Sequence, residues 1–156
     1  MLVRAPHHTV EVSGKPFMLG KTPQVDAQIS IPYTVAAALL RRRIGLSDFE
    51  ESAVRDLRVL ALAAKVHVAA EPGDGEWTPM EVSMQCRGGM RRVHRVDRLL
   101  GTPERPLGES ELIAKVRDCA RFAATPLSEE RVDTLIHAVG RLEEVTALTA
   151  LTSLMV

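Results

Sequence analysis

Tyr33 is the single tyrosine of the chain, and it stands in the stretch DAQISIPYTVAAALL, residues 26–40. Ser30 is a natural N-cap, and Pro32 costs little in a first helical turn because its missing N–H would be unpaired there anyway. The spacing predicts a helix over 31–43 that ends at Gly45, with Tyr33 in its first turn. Unpaired backbone N–H groups and the positive end of the helix dipole gather at that point, which suits a bound carboxylate. A phenol beside such an acid could donate a hydrogen bond or move a proton. The alternative is a ring packed in the core whose hydroxyl finds a backbone partner. The residues alone leave both open.

Other chemically capable side chains are scattered. His67 and His94 lie in alternating runs that could pair in one sheet, while His7 and His8 are adjacent and far from both in sequence. Two histidines fall short of the three or four ligands of a usual site, so no metal is expected. Cys86 and Cys119 are far apart and neither belongs to a C-x-x-C pair, which reads as two reduced, partly buried thiols. G-x-G-x-x-G, Walker, G-x-S-x-G and H-E-x-x-H patterns are missing from the sequence. Arg41, Arg42 and Arg43 read as a solvated helix end, where the dipole favours positive charge.

The elements that must position these groups follow from local signals. VEVSG, residues 10–14, alternates as a strand does, and KPFMLGKTP after it reads as a loop with two prolines. Ser47 and Glu50 have capping-box spacing at the start of an interrupted helical stretch that runs to Ala64. KVHVAA, residues 65–70, alternates as a strand and is followed by the turn-rich linker EPGDGE. MEVSMQC and MRRVHRV flank Arg87-Gly88-Gly89, the pattern of an antiparallel hairpin. GTPERPLGESEL is a proline-rich loop feeding a helix over 109–123, and PLSEERV starts another at Ser128. Val145, Leu148, Leu151 and Met155 share one helical face, which predicts a docked apolar tail. Strands flanked by helices without βαβ alternation predict an α+β fold, a small antiparallel sheet with a β-hairpin packed against several helices.

At 156 residues the chain is long enough for one domain with a real core. Twenty basic residues balance twenty acidic ones, so no net field would hold it on nucleic acid or an anionic membrane. Aromatics are only 3% of residues, which leaves packing to aliphatic side chains. No apolar stretch approaches the roughly 18–20 residues of a bilayer span, and the N-terminus lacks a secretory pattern, so a cytoplasmic location is the expectation.

The run DAQISIPYTVAAALLRRRIGLSDF, then KVHVAAEP, the hairpin around RGGM, LLGTPERPLGESELIAKVRDCA and PLSEERVDTLI resembles the carboxy-terminal domain of the MmgE/PrpD family. That family includes 2-methylcitrate dehydratase, cis-aconitate decarboxylase and iminodisuccinate epimerase. G-x-P-x-x-P-L at 101–107 together with A-Q-x-S-x-x-Y-x-V-A at 27–36 carries the resemblance, which covers nearly the whole chain as a single lid domain, residues 1–156. It implies a lid over a larger helical domain, with small di- or tricarboxylic acids bound in the cleft between them and no metal or other cofactor. It also implies that Tyr33, with Ser30, faces the substrate, the phenol holding a carboxylate or donating a proton. Arg42 stands where the family usually has a glycine after the A-A-L-L run.

The same resemblance implies that the helical domain, which holds most of the acid-base groups, is absent here. The expected partners are therefore a small carboxylic acid, a helical-domain chain and further copies in a homo-oligomer, with no nucleic acid and no membrane. A non-enzymatic module that binds a carboxylate or a partner protein through the surface normally covered by the helical domain is the alternative.

Overall fold

The structure, a computed structural model, describes residues 1–71 and 79–155. The chain divides into two units, Met1–Arg105 and Pro106–Val156.

In the first unit β1 (Leu2–Ala5) pairs in parallel with β2 (His67–Ala70) and antiparallel with β3 (Met80–Gln85). β3 pairs antiparallel with β4 (Arg91–Val96), giving the order β2-β1-β3-β4. The expected hairpin is present. Its turn is closed by the Gly89 N–H donating to the Cys86 carbonyl at 3.3 Å. Gly88, with φ +87°, occupies the third turn position, where a positive φ makes glycine the natural residue. EPGDGE begins at Glu71, and the rest of it lies outside the described residues.

Helices α1 (His7–Ser13), α2 (Pro23–Gln28) and α3 (Ile31–Arg41) follow β1. A 3-10 turn over Leu46–Phe49 leads to α4 (Glu51–Val54) and α5 (Leu57–Ala63). Helix α1 corrects the sequence reading, because VEVS ends it, with Gly14 as its cap, and the strand is LVRA before it. Alternation over so few residues does not separate the two periods, and the β1 position is set by pairing with β2 and β3 on both sides. α2 was not anticipated; Pro23 at its first turn is the local signal that marks it.

Val3 and Ala5 of the interior strand β1 are buried, and a hydrophobic core cluster joins Ala27, Tyr33, Ala36, Ala37, Val54, Val59 and Ala63. Alanines on α3 let α5 approach closely, as a core poor in aromatics requires.

The second unit holds α6 (Glu109–Arg121), α7 (Glu129–Gly140), a 3-10 turn over Leu142–Glu144 and α8 (Leu148–Thr152). The starts of α6 and α7 match the sequence signals. The mixed sheet with its hairpin and helices is α+β.

Candidate functional site

α3 begins as its sequence predicts. Ser30 Oγ accepts the Tyr33 N–H at 3.2 Å, and the Thr34 hydroxyl donates to the Ser30 carbonyl at 2.9 Å. The helix ends at Arg41, two residues early, because Arg42 takes the left-handed conformation with φ 64° while its N–H donates to the Ala38 carbonyl at 2.8 Å. That is the conformation a C-terminal glycine usually supplies. The position where the family resemblance expects glycine is thus a cap filled by arginine.

Tyr33 itself has no exposed surface. Its ring centroid lies 4.9 Å from that of Phe17 and 6.0 Å from that of Phe49, and its hydroxyl donates to the Asp48 carbonyl. Burial pushes the phenol pKa up, with the Arg41 charge opposing and the Asp48 charge adding. A phenol so enclosed stays protonated and spends its one donor on the backbone. In this arrangement no substrate carboxylate reaches it, so the structure favours the core alternative over the ligand-facing role that the resemblance implied.

Ser30 is also buried, but it lines an open cleft of about 210 Å³ with Lys15, Phe17, Asp26 and Ile29. Lys15 brings a cation to that cleft and Asp26 an anion. Of the two anticipated substrate-binding residues, Ser30 is the one beside an opening.

A group that sequence reasoning missed surrounds Asp48. Its carboxylate accepts from Arg41 on one oxygen and from the Gly45 N–H at 2.6 Å on the other. Arg41 also lies 3.6 Å from the Asp56 carboxylate and donates to the Ala53 carbonyl at 3.4 Å. Asp48 is buried, and a buried carboxylate is tolerable only when paired and hydrogen-bonded. Hydrogen bonding by the Asp48 carboxylate holds the Arg41 guanidinium above its ordinary pKa. The Asp56 carboxyl is lowered to about 2, first by the Arg58 guanidinium and then by the Arg58 N–H. The sequence places Arg41 at a solvated helix end, whereas the structure turns it onto Asp48, and the Asp48 carboxylate on Gly45 replaces the expected pairing of Ser47 with Glu50. Arg41 and Asp48 are seven positions apart, but the helix is capped at Arg42 and Asp48 sits in a separate turn, so no continuous helix links them. The constellation ties α3 to α4 and α5; its chemistry is that of a structural clamp.

The remaining candidates stay apart. His67 and His94 sit on β2 and β4, opposite edges of the sheet, about 14 Å across three strand spacings. No group of three or more His, Cys, Asp or Glu able to hold a metal occurs among the described residues. Cys86 and Cys119 are free thiols, but Cys119 is exposed where partial burial was expected. No helix of the described residues is long and apolar enough to cross a membrane.

A family model described as the MmgE/PrpD C-terminal domain matches residues 2–142. The chain belongs to this family. It is 28% identical to cis-aconitate decarboxylase of Mus musculus over 133 residues, 83% of this chain and 27% of that protein. With the Homo sapiens cis-aconitate decarboxylase it shares 27% identity over 158 aligned residues, 99% of this chain and 31% of that protein. The chain therefore spans less than a third of the length of these curated relatives of the MmgE/PrpD domain.

Proposed function

We propose that this MmgE/PrpD C-terminal domain acts as the lid of a lyase or isomerase working on small di- or tricarboxylic acids, without turnover until a helical domain completes the cleft. The observation that carries the reading is the family match over 2–142 together with relatives named as cis-aconitate decarboxylases. Acid-base chemistry needs a base within reach of the proton and a group that steadies the charge left behind. Tyr33 is enclosed, and His67 and His94 stand on opposite sheet edges, so neither the phenol nor these histidines make such a pair. In this reading the cleft beside Ser30 and Lys15 is the face turned to the substrate, and Tyr33 holds the shape of that face from within.

The test is to incubate the full chain with cis-aconitate and with 2-methylcitrate, alone and after co-expression with a helical domain of the family, and follow both acids by proton NMR. Turnover only in the co-expressed sample is expected. Turnover by the chain alone, or none in a stable complex of both chains, overturns the proposal.

A second reading has its own observation. Leu112, Val139, Leu148 and Met155 of the second unit are all more than half exposed, and monomers rarely leave large apolar patches bare. A binding module that self-associates through this surface would form a stable homo-oligomer and ignore a co-expressed helical domain. Light scattering on both samples separates the two.

A further inference from the structure

β4 is an edge strand, and its character differs from that of its neighbour. Its sequence is RRVHRV, and its first five residues are exposed. Cys86 and Met90 form a hydrogen-bonded pair, with the Cys86 N–H donating to the Met90 carbonyl at 2.8 Å. Alternation along an antiparallel ladder then turns the N–H and C=O groups of Arg91, Val93 and Arg95 away from β3. Among the described residues no strand pairs with these positions.

The side chains around that edge are cationic and only partly compensated. Arg95 pairs with Asp97 at 2.8 Å. Arg91 and Arg92 have no ion-pair partner among the described residues. The chain carries no net charge, so this is a local field rather than a general one. Arginines can serve merely to blunt an edge, but here they are interleaved with apolar surface. Val93 is 51% exposed and Met90 56%. On the face of Val82 and Met84, these two residues and Val35, Ala38 and Leu39 of α3 line a groove of about 580 Å³, with Arg92 and His94 also in its wall.

A second copy paired symmetrically about Val93 does not suit this edge. Antiparallel self-pairing centred on Val93 would set Arg91 opposite the Arg95 of the other copy, and like charges directly opposite are destabilising. Complementary charge requires carboxylates across from Arg91 and Arg92, with apolar side chains across from Val93 and Val96.

We propose that the β4 edge binds an extended acidic segment of a partner protein by strand addition, its backbone pairing with Arg91, Val93 and Arg95 and its acidic residues meeting Arg91 and Arg92. Main-chain hydrogen bonds supply affinity in such complexes, and the alternating side chains supply specificity. The proposal stands independently of the lid reading, since it uses neither the cleft nor a substrate.

The probe is a fluorescent peptide, Val-Thr-Thr-Val-Glu-Glu, titrated into the full chain at low salt and followed by anisotropy. Saturable binding is expected, weakened about tenfold by Val93→Pro, which removes one outward N–H and leaves the bonds to β3 in place. The double variant Arg91→Glu/Arg92→Glu is expected to lose binding to a similar or larger extent and to gain binding for the peptide with lysines in place of glutamates. Circular dichroism shows whether each variant keeps its fold, and the peptide with an N-methyl group on its central valine repeats the backbone test on the unaltered chain. Absence of saturable binding, or equal binding of the N-methylated peptide, overturns the proposal. So does a single-stranded oligonucleotide that binds as tightly and is indifferent to Val93→Pro, because that outcome makes the patch a general anion surface.

Discussion

The two units hold their helices by different means. In Met1–Arg105, α3 is fixed by side chains distant in sequence: the Tyr33 ring among Phe17 and Phe49, its hydroxyl on Asp48, and Arg41 on Asp48 and Asp56. In Pro106–Val156, Ala120 and Val132 are the buried hydrophobics among the described residues, while Leu112, Val139 and Leu148 stand in solvent. Its helices are capped at their own ends, with the Glu111 carboxylate on the Gly108 N–H at 2.9 Å and Ser128 Oγ accepting the Arg131 N–H at 3.3 Å, and joined by the largely exposed Arg117–Asp133 pair at 2.6 Å. One unit is specified by a buried core and the other by caps and exposed pairs.

The sharpest way to break this comparison is at Tyr33. Tyr33→Ala removes a fully buried ring, and a loss of about 4 kcal/mol is expected in urea unfolding followed by circular dichroism. Tyr33→Phe keeps the ring and strands the Asp48 carbonyl, for a loss of about 1–2 kcal/mol. A loss below about 1 kcal/mol for the alanine variant would mean that the ring is not the core of its unit.

Asp48→Ala comes next. It leaves the Arg41 guanidinium and the Gly45 N–H without their main acceptor, and about 3 kcal/mol is expected, softened because Arg41 keeps some solvent and Asp56. Replacing both partners, Arg41→Met with Asp48→Leu, is expected to recover part of that loss. If the double variant is as unstable as the sum of the singles, the clamp is not a coupled pair.

This same contrast decides what the sequence made legible. The Ser30 cap, the Gly88-Gly89 turn and the starts of α6 and α7 are each written within a few residues, and all were readable. Val10 and Val12 fit either period, so the sequence does not separate α1 from a strand, and only partners more than sixty residues away fix LVRA as the strand. Tyr33 could be placed in its helix but not inside or outside, since that depends on Phe17 and Phe49 closing over it. Arg41 carried no local sign that it turns inward.

A smaller, pH-dependent effect belongs to Asp56. Its carboxyl lies at about 2 in the folded chain against an ordinary 3.8. A depressed carboxyl contributes stability that is fully present above the unfolded value and lost as pH falls through the folded one. The stability gap between the native chain and Asp56→Asn is therefore expected to be constant above about pH 5 and to close between about pH 4 and 2. Urea midpoints taken across that range measure it, and a gap unchanged down to pH 2 would remove the Arg58 pairing as its cause.

Arg42 offers a gain instead of a loss. A left-handed residue with a Cβ costs roughly 1 kcal/mol relative to glycine, so Arg42→Gly is expected to raise stability by up to about that amount. The urea midpoint should rise with an unchanged slope. A fall would show that the arginine side chain does more at this cap than its backbone strain costs.

The smallest effect is expected in the second unit. Leu148 is 72% exposed, so Leu148→Ala should change stability by less than about 0.5 kcal/mol in dilute solution, where truncating an exposed side chain removes little contact. Concentration turns this into a discriminating measurement. If copies of the chain or a partner cover that leucine, the variant's melting temperature will fall behind the native one only as protein concentration rises, because association stabilises by mass action. A deficit that is large and independent of concentration would instead mean that Leu148 packs within the unit, and the contrast between a unit held by its core and a unit held by its caps would fail at that point.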